Sequence, residues 1–391
     1  MLASRRMRTL RILLTTPAYW PATSFGGPIP VVKELAEGLA GRGHDVVVLS
    51  TSIVDLASRP TLHTRTLQNA GVTVRYLATP LRYRWMGFAP SALLWATRHR
   101  PDVVHVLGYR DPLGSLVAWW CRRRGVPYLF EPLGMFEPRF RKVRTKRVFD
   151  ALVGRRVAEG ADLVVSTSEL ERGELVAAGL DRTRVVVRPN GFPPPRTTAS
   201  GDGLRESLRL ASDERLLLFV GRVNRKKGLD LLLRALPGLP GAHLGIVGPD
   251  DRDGTVATVN RLRRELGLER RVHLLGPVDP ERLEELYADA DVFVLPSRNE
   301  NFGNVAAEAA AAGTAIVLTD QCGVAELLRE RAALVVRPNP AELQAAVKRV
   351  LGDERLRLRL ASEGPRVAEE LSWANVCGLQ EQLYVRALAA P

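Results

Sequence analysis

The sequence is short of acid, of cysteine and of any long apolar run. Against 56 lysines and arginines it sets only 43 aspartates and glutamates, which leaves a formal charge of +13 over 391 residues. No window approaches the roughly 20 continuous apolar residues of a membrane-spanning helix, so an integral membrane protein is not expected. The cysteines, Cys121, Cys322 and Cys377, are far apart and lack metal-ligand spacing, which speaks against a disulfide framework or a structural zinc site and for a reducing cytoplasm. Arginines precede Ile12-Leu13-Leu14 near the amino terminus, but the apolar core of about 7 to 15 residues that a secretory signal needs is missing. Those residues read as a buried strand. Neither a G-x-G-x-x-G fingerprint with a later acid nor a Walker lysine loop is found, which lowers the case for a nicotinamide enzyme or a P-loop ATPase. No short repeat or low-complexity array occurs.

What is present is alternation. Apolar residues make up 46% and charged residues 25% of the chain, a globular composition, and its length suits two domains. Short apolar runs at 10–14, 46–50, 72–77, 103–107, 128–130, 163–166 and 185–188 alternate with amphipathic stretches such as 31–39 and 116–121. That rhythm predicts a parallel sheet with helices on both faces. The run Phe192-Pro193-Pro194-Pro195 and the polar residues up to Gly203 suit a connection between domains. The alternation then restarts, with strands expected at 216–220, 244–247, 272–275, 292–295, 315–318 and 334–336. The fold class is therefore α/β, with two doubly wound, Rossmann-like domains facing a cleft: residues 1–192, a linker over 193–203, and residues 204–365. A helix over 366–391 is expected to pack back on the first domain. Ligands of such sheets bind beyond the carboxyl ends of the strands, so function belongs on the strand-to-helix loops.

Two loops carry chemistry. Gly221-Arg222-Val223-Asn224-Arg225-Lys226-Lys227-Gly228 falls between a predicted strand and a helix beginning near Leu229. An arginine fork and a lysine point charge beside free helical N–H groups suit a diphosphate, although a basic turn exposed to solvent has the same composition. Ser297-Arg298-Asn299-Glu300-Asn301-Phe302-Gly303-Asn304-Val305-Ala306-Ala307-Glu308 follows the strand at 292–295. With a helix starting near Phe302, Glu300 precedes it and Glu308 lies on its second turn, so both carboxylates can accept hydrogen bonds from sugar hydroxyls. A first-turn glutamate favoured by the helix dipole would look the same.

Together, Gly-Arg-x4-Lys-Gly at 221–228, the glutamates at 300 and 308, and Pro296-Ser297 before them resemble the retaining family-4 (GT4) glycosyltransferases of GT-B fold. The likeness extends over nearly the whole chain, through Gly26-Gly27, Pro101-Asp102-Val103-Val104-His105, Pro189-Asn190-Gly191, Gly313-Thr314-Ala315 and Leu371-Ser372-Trp373. It implies a hexosyltransferase acting on a nucleotide-sugar donor, with a glycan, lipid-linked saccharide or small molecule as acceptor, as in polysaccharide biosynthesis. By that resemblance Arg222 and Lys227 grip the donor diphosphate and Glu308 holds the ribose. Glu300 contacts the transferred sugar, the backbone of Asn301, Phe302, Gly303, Asn304 and Val305 surrounds sugar and phosphate, and Val278 lies where the base is cradled. Gly26 and Gly27 match the glycine loop that closes over the donor. The resemblance further implies no cofactor and no metal, the cations replacing magnesium, and a front-face route without a covalent nucleophile, so Glu300, Arg222 and Lys227 are the catalytic candidates. One departure stands out: where many relatives have histidine in a Pro-His-Gly-Met-like segment, this chain has Pro132-Leu133-Gly134-Met135. Glu131 is either a polar group on the acceptor side or a strand-end carboxylate with a structural partner, and His105 reads as a satisfied strand-end histidine rather than a base.

The basic stretch 139–156 interleaves Phe140, Val143, Val148, Phe149 and Leu152 with arginines and lysines. Three readings stay open for it: peripheral contact with an anionic membrane at the inner face, guidance of an anionic acceptor, or a surface helix packed on its own domain. No nucleic-acid reader motif accompanies the charge. The rival functions are a sugar-nucleotide epimerase of the same architecture and a non-catalytic nucleotide-sugar-binding protein.

Overall fold

The structure is a computed structural model and describes residues 8–22, 26–55, 61–83, 86–136, 143–195 and 203–389. It divides into two compact units, Met1–Pro189 with Trp373–Pro391, and Asn190–Ser372. Among the described residues no helix is long and apolar enough to cross a membrane.

The first unit holds β1 (Arg11–Thr16), α1 (Pro28–Gly41), β2 (Asp45–Thr51), β3 (Arg65–Asn69), β4 (Val72–Leu77), β5 (Leu81–Tyr83), β6 (Met86–Phe88), α2 (Ala92–His99), β7 (Val103–Leu107), α3 (Pro112–Arg124), β8 (Tyr128–Glu131), α4 (Val143–Phe149), α5 (Arg155–Gly160), β9 (Leu163–Ser166), α6 (Glu169–Ala177) and β10 (Val185–Val187). Eight strands form one sheet in the order β10-β9-β8-β7-β1-β2-β4-β3. Its central strands are buried on both faces, which is why they read as unbroken apolar runs rather than as alternation. The sheet departs from the all-parallel expectation at one edge, where β3 runs antiparallel to β4. Every residue of β3 is exposed, so no burial pattern marks it in the sequence. Pro112 opens α3, whose Asp111 carboxylate accepts the Gly114 N–H at 2.8 Å, and Gly125 closes it in the left-handed region.

The second unit holds α7 (Gly203–Ser207), β11 (Arg215–Val220), α8 (Leu229–Ala235), β12 (Ala242–Val247), α9 (Thr255–Glu265), β13 (Val272–Gly276), α10 (Pro280–Asp289), β14 (Val292–Leu295), α11 (Asn304–Ala311), β15 (Ile316–Thr319), α12 (Ala325–Leu328), β16 (Ala333–Val336), α13 (Pro340–Gly352) and α14 (Glu354–Glu370). Its sheet is parallel throughout, in the order β13-β12-β11-β14-β15-β16. The chain then returns to the first unit as α15 (Trp373–Leu388). There Glu381 takes Arg42 and His44, at 2.6 and 2.8 Å, and the buried Tyr384 hydroxyl meets His105 Nδ1 at 3.1 Å.

The units divide at Pro189 and Ser372 rather than at 192 and 365. Phe192 belongs to the second core: its N–H donates to Leu371 O at 2.8 Å and its ring packs edge-on against Phe302. Of the linker expected over 193–203, residues 196–202 lie outside the described residues.

Candidate functional site

A parallel sheet wound outward from its middle opens a crevice where neighbouring strands send their loops to opposite faces. In the second unit that point lies between β11 and β14, which pair through Leu217–Val292 and Leu218–Phe293. The loops leaving these two strands are Gly221–Gly228 and Pro296–Gly303. Their backbones touch: Arg298 N–H donates to Lys226 O at 2.7 Å. Gly228, at φ +67°, approaches so closely that an added Cβ would stand 2.1 Å from Pro296 O. The loop after β12 joins from the other side, with Gly248, at φ +132°, equally close to Gly221 O. Glycine is required at both positions by contact as well as by conformation.

This packing brings Lys227 Nζ onto Glu300 Oε2, an ion pair between groups 73 positions apart. Lys227 sits in a short 3-10 turn, and the side chains are 9% and 15% exposed. Burial opposes ionisation of Glu300, but Lys227, helped by Lys226, outweighs it, so the carboxyl stands below its ordinary value. Glu300 is further fixed through its backbone, donating to Gln321 O at 2.9 Å and accepting from Gly323 N at 3.1 Å.

Arg222 stands on the same loop and binds Asp251 through Nε and Nη2. Glu308, on the second turn of α11, accepts the Tyr287 hydroxyl at 2.9 Å. Burial and that carboxylate hold the phenol well above its ordinary value, so it donates. The helix α11 begins at Asn304, after Gly303 at φ +102°. Phe302 is therefore a buried loop residue in the core rather than a helical one, and Val305 is half-buried against that core. Asn304 Oδ1 accepts from Asn190 Nδ2 at 3.0 Å, and Asn301 is half-buried in the same loop. Val278 follows β13 and packs on the core, while Gly276 O accepts Gly248 N–H at 2.8 Å. In the sequence Asn190 stands out only as part of Pro189-Asn190-Gly191, and nothing there marks Tyr287 or Asp251 as a partner of these side chains. Among the described residues no group of His, Cys, Asp and Glu side chains could hold a metal ion.

In the first unit the winding reverses between β1 and β7, and Gly26 and Gly27 lie on the loop leaving β1. Gly26 has φ +84° and an added Cβ would meet nothing within 4 Å, so conformation alone asks for glycine there within the unit. Gly27 immediately precedes α1. Leu133 and Gly134 follow β8 with φ +52° and +72°. Glu131 has a structural partner: it is buried against Arg188 and 3.3 Å from His105 Nε2. Burial resists its charge, yet the guanidinium keeps its carboxyl below the ordinary value. His105, mid-strand and buried, meets the Tyr384 hydroxyl through Nδ1 at 3.1 Å, whereas its Nε2 faces the Glu131–Arg188 pair without a hydrogen bond of its own. Of the basic stretch, residues 137–142 lie outside the described residues.

Family comparisons align with this division of the chain. A profile described as glycosyl transferases group 1 matches residues 202–367, and one described as a glycosyl transferase 4-like domain matches 26–191. D-inositol 3-phosphate glycosyltransferase of Rhodococcus erythropolis is 30% identical over 96% of this chain and 90% of its own length. The chain belongs to this glycosyltransferase family. Among curated relatives of the glycosyltransferase is also the Thermomonospora curvata enzyme of the same name, 31% identical over 92% of this chain and 90% of its own. Sucrose-phosphate synthase from Thermosynechococcus elongatus matches in structure with a TM-score of 0.78 and 25% identity, covering 97% of this glycosyltransferase and 99% of that chain. Anabaena HepE, solved with UDP-glucose, shares the fold at a TM-score of 0.73 and 18% identity, over 96% and 99% of the two chains. These matches favour sugar transfer over the epimerase and the non-catalytic binding protein, and the fold is GT-B.

Proposed function

We propose that the glycosyltransferase takes a sugar from a nucleotide-sugar donor held by its second unit and passes it, with retention, to a glycan, lipid-linked saccharide or small-molecule acceptor. The observation that carries this reading is the Lys227–Glu300 pair at the point where the second sheet reverses its winding. A cation there neutralises a diphosphate leaving group and a carboxylate beside it accepts a sugar hydroxyl. In this reading Arg222 shares the diphosphate, Glu308 takes the ribose hydroxyls, and Val278 lies by the base. The Asn301–Val305 backbone lines the sugar. Two side-chain cations stand in for a metal, so a chelator leaves turnover unchanged. A panel of UDP-, GDP- and ADP-sugars incubated with the enzyme and candidate acceptors, with and without EDTA, tests this. Donor-dependent product or slow donor hydrolysis is expected in both arms; binding without turnover, or a new sugar isomer, would overturn it.

A peripheral membrane contact through 139–156 is proposed as a second feature. Val148 and Leu152 are 59% and 60% exposed beside Arg144, Arg147, Arg155 and Arg156, while Asp150 is drawn to Arg110 at 2.6 Å. Cations near an anionic bilayer contribute about 1 kcal/mol each. The protein is expected to sediment with phosphatidylglycerol vesicles and not with phosphatidylcholine ones, and a Val148→Asp, Leu152→Asp variant to stay in the supernatant. Equal sedimentation of variant and parent would discard the feature.

A further inference from the structure

The loop following β12 is laced onto the loop that carries Arg222. Val223 N–H donates to Pro249 O at 2.8 Å, and Asp251 N–H donates to Val223 O at 3.2 Å. Arg225 N–H donates to Asp253 Oδ2 at 3.0 Å. Within this lacing Asp251 is aimed. Asn224 Nδ2, on a residue 6% exposed, holds its Oδ2 at 3.0 Å, and that leaves Oδ1 to receive both Nε and Nη2 of Arg222. Arg222 thus meets an anion of its own chain along the Nε–Nη2 edge, the edge with which a guanidinium takes a carboxylate or phosphate in parallel hydrogen bonds.

We propose that Asp251 is a competing anion for Arg222, which lowers the enzyme's affinity for the diphosphate of donor and product and so speeds release of the nucleoside diphosphate. The inference rests on the reading of Arg222 as a diphosphate-binding group. A diphosphate that engages the Nε–Nη2 edge displaces the carboxylate, and one that engages another face of the guanidinium lies within a few ångströms of it; either way the negative charge of Asp251 opposes binding. The opposition is modest because the pair is 43% and 31% exposed on its two sides, where solvent screens it. Modest is what a release step requires. A nucleoside diphosphate held too tightly would occupy the enzyme after transfer, and in many enzymes product release sets the turnover rate. Lys227 contrasts with Arg222: its internal partner Glu300 acquires a sugar hydroxyl when the donor displaces it, whereas Asp251 acquires nothing from the donor in this reading.

Asp251→Asn removes the charge and keeps the shape and the acceptor at Oδ1, with the Asn224 amide turned so that its Oδ1 accepts the new NH2 in place of the bond its Nδ2 now gives to Oδ2. Titration of the full chain with UDP, GDP and ADP by calorimetry should show, for each nucleotide that binds, a dissociation constant about three- to fivefold lower in Asp251→Asn than in the parent, the upper range for a part-exposed ion pair. In an Arg222→Ala background the same substitution should change nothing beyond twofold. Asn224→Ala, which frees Asp251 from its orienting bond without touching Arg222, should tighten binding in the same direction by a smaller factor. It also serves as the reading should Asp251→Asn not fold. An unchanged or raised dissociation constant in Asp251→Asn, or in Asn224→Ala if only that variant folds, would overturn the inference; with Arg222→Ala by itself still weakening binding, the reading of Arg222 would survive. If Arg222→Ala binds nucleotide as the parent does, both fall together.

Discussion

Replacing Lys227 by alanine is expected to raise the dissociation constant for nucleoside diphosphate by roughly 30- to 160-fold, the effect of removing a charge-assisted hydrogen bond of about 2 to 3 kcal/mol. The loss should exceed that of most surface cations, because Lys227 is 7% exposed and its ammonium is little hydrated. The variant also leaves Glu300 without the charge that holds its carboxyl low, so burial then pushes the carboxyl upward. The sign of the pH effect follows. In the parent the Glu300 carboxylate and its pairing persist below the ordinary carboxylate value and are lost as pH falls through the depressed one; in Lys227→Ala the acid limb of turnover should move to higher pH. Glu300→Gln separates the partners. It keeps Lys227 and the local shape, so nucleotide affinity should stay within about threefold, whereas kcat should fall roughly 100-fold through loss of a contact strengthened in the transition state. Calorimetric affinity unchanged in Lys227→Ala would show that the diphosphate lies elsewhere.

The second large effect is on stability. Gly248→Ala should cost about 3 to 5 kcal/mol, combining left-handed backbone strain with a methyl forced to within 2.1 Å of a backbone oxygen. For a unit of this size that is a fall of about 10 °C in the melting midpoint of the second unit. Gly254→Ala is the control: its φ is +89° but an added Cβ would meet nothing within 4 Å, so only the conformational part, about 1 kcal/mol, should appear. Equal losses in the two variants would show that backbone conformation, not the interlocking of the loops after β11 and β12, decides the cost.

These predictions rest on features of unequal visibility in the sequence. Val103–Leu107 and Val292–Leu295 were legible to the residue, because strands buried on both faces must be apolar throughout. Arg65–Asn69 was not, since nothing about an exposed edge strand constrains its residue types, and the three-residue strands β5 and β6 are too short to show a period. Among the site residues, Lys227 and Glu300 could each be picked out by position after a strand. Their contact could not: it depends on β11 and β14 lying side by side, an order that the winding of the sheet sets and the succession of residues does not. Asp251 was missed for a related reason. An aspartate in a loop is ordinary until the loop is seen against Val223 and Arg222.

The return of α15 to the first unit has a consequence for the order of events on the ribosome. The buried partners of His105, Arg42 and His44 are Tyr384 and Glu381, which are synthesised after the whole of the second unit. Domains fold as they emerge, so the second unit can settle while the earlier one still lacks its last helix and exposes the apolar face that awaits it. The part of the molecule made first is thus completed only after the second unit, and its window of vulnerability to aggregation lasts until α15 has emerged.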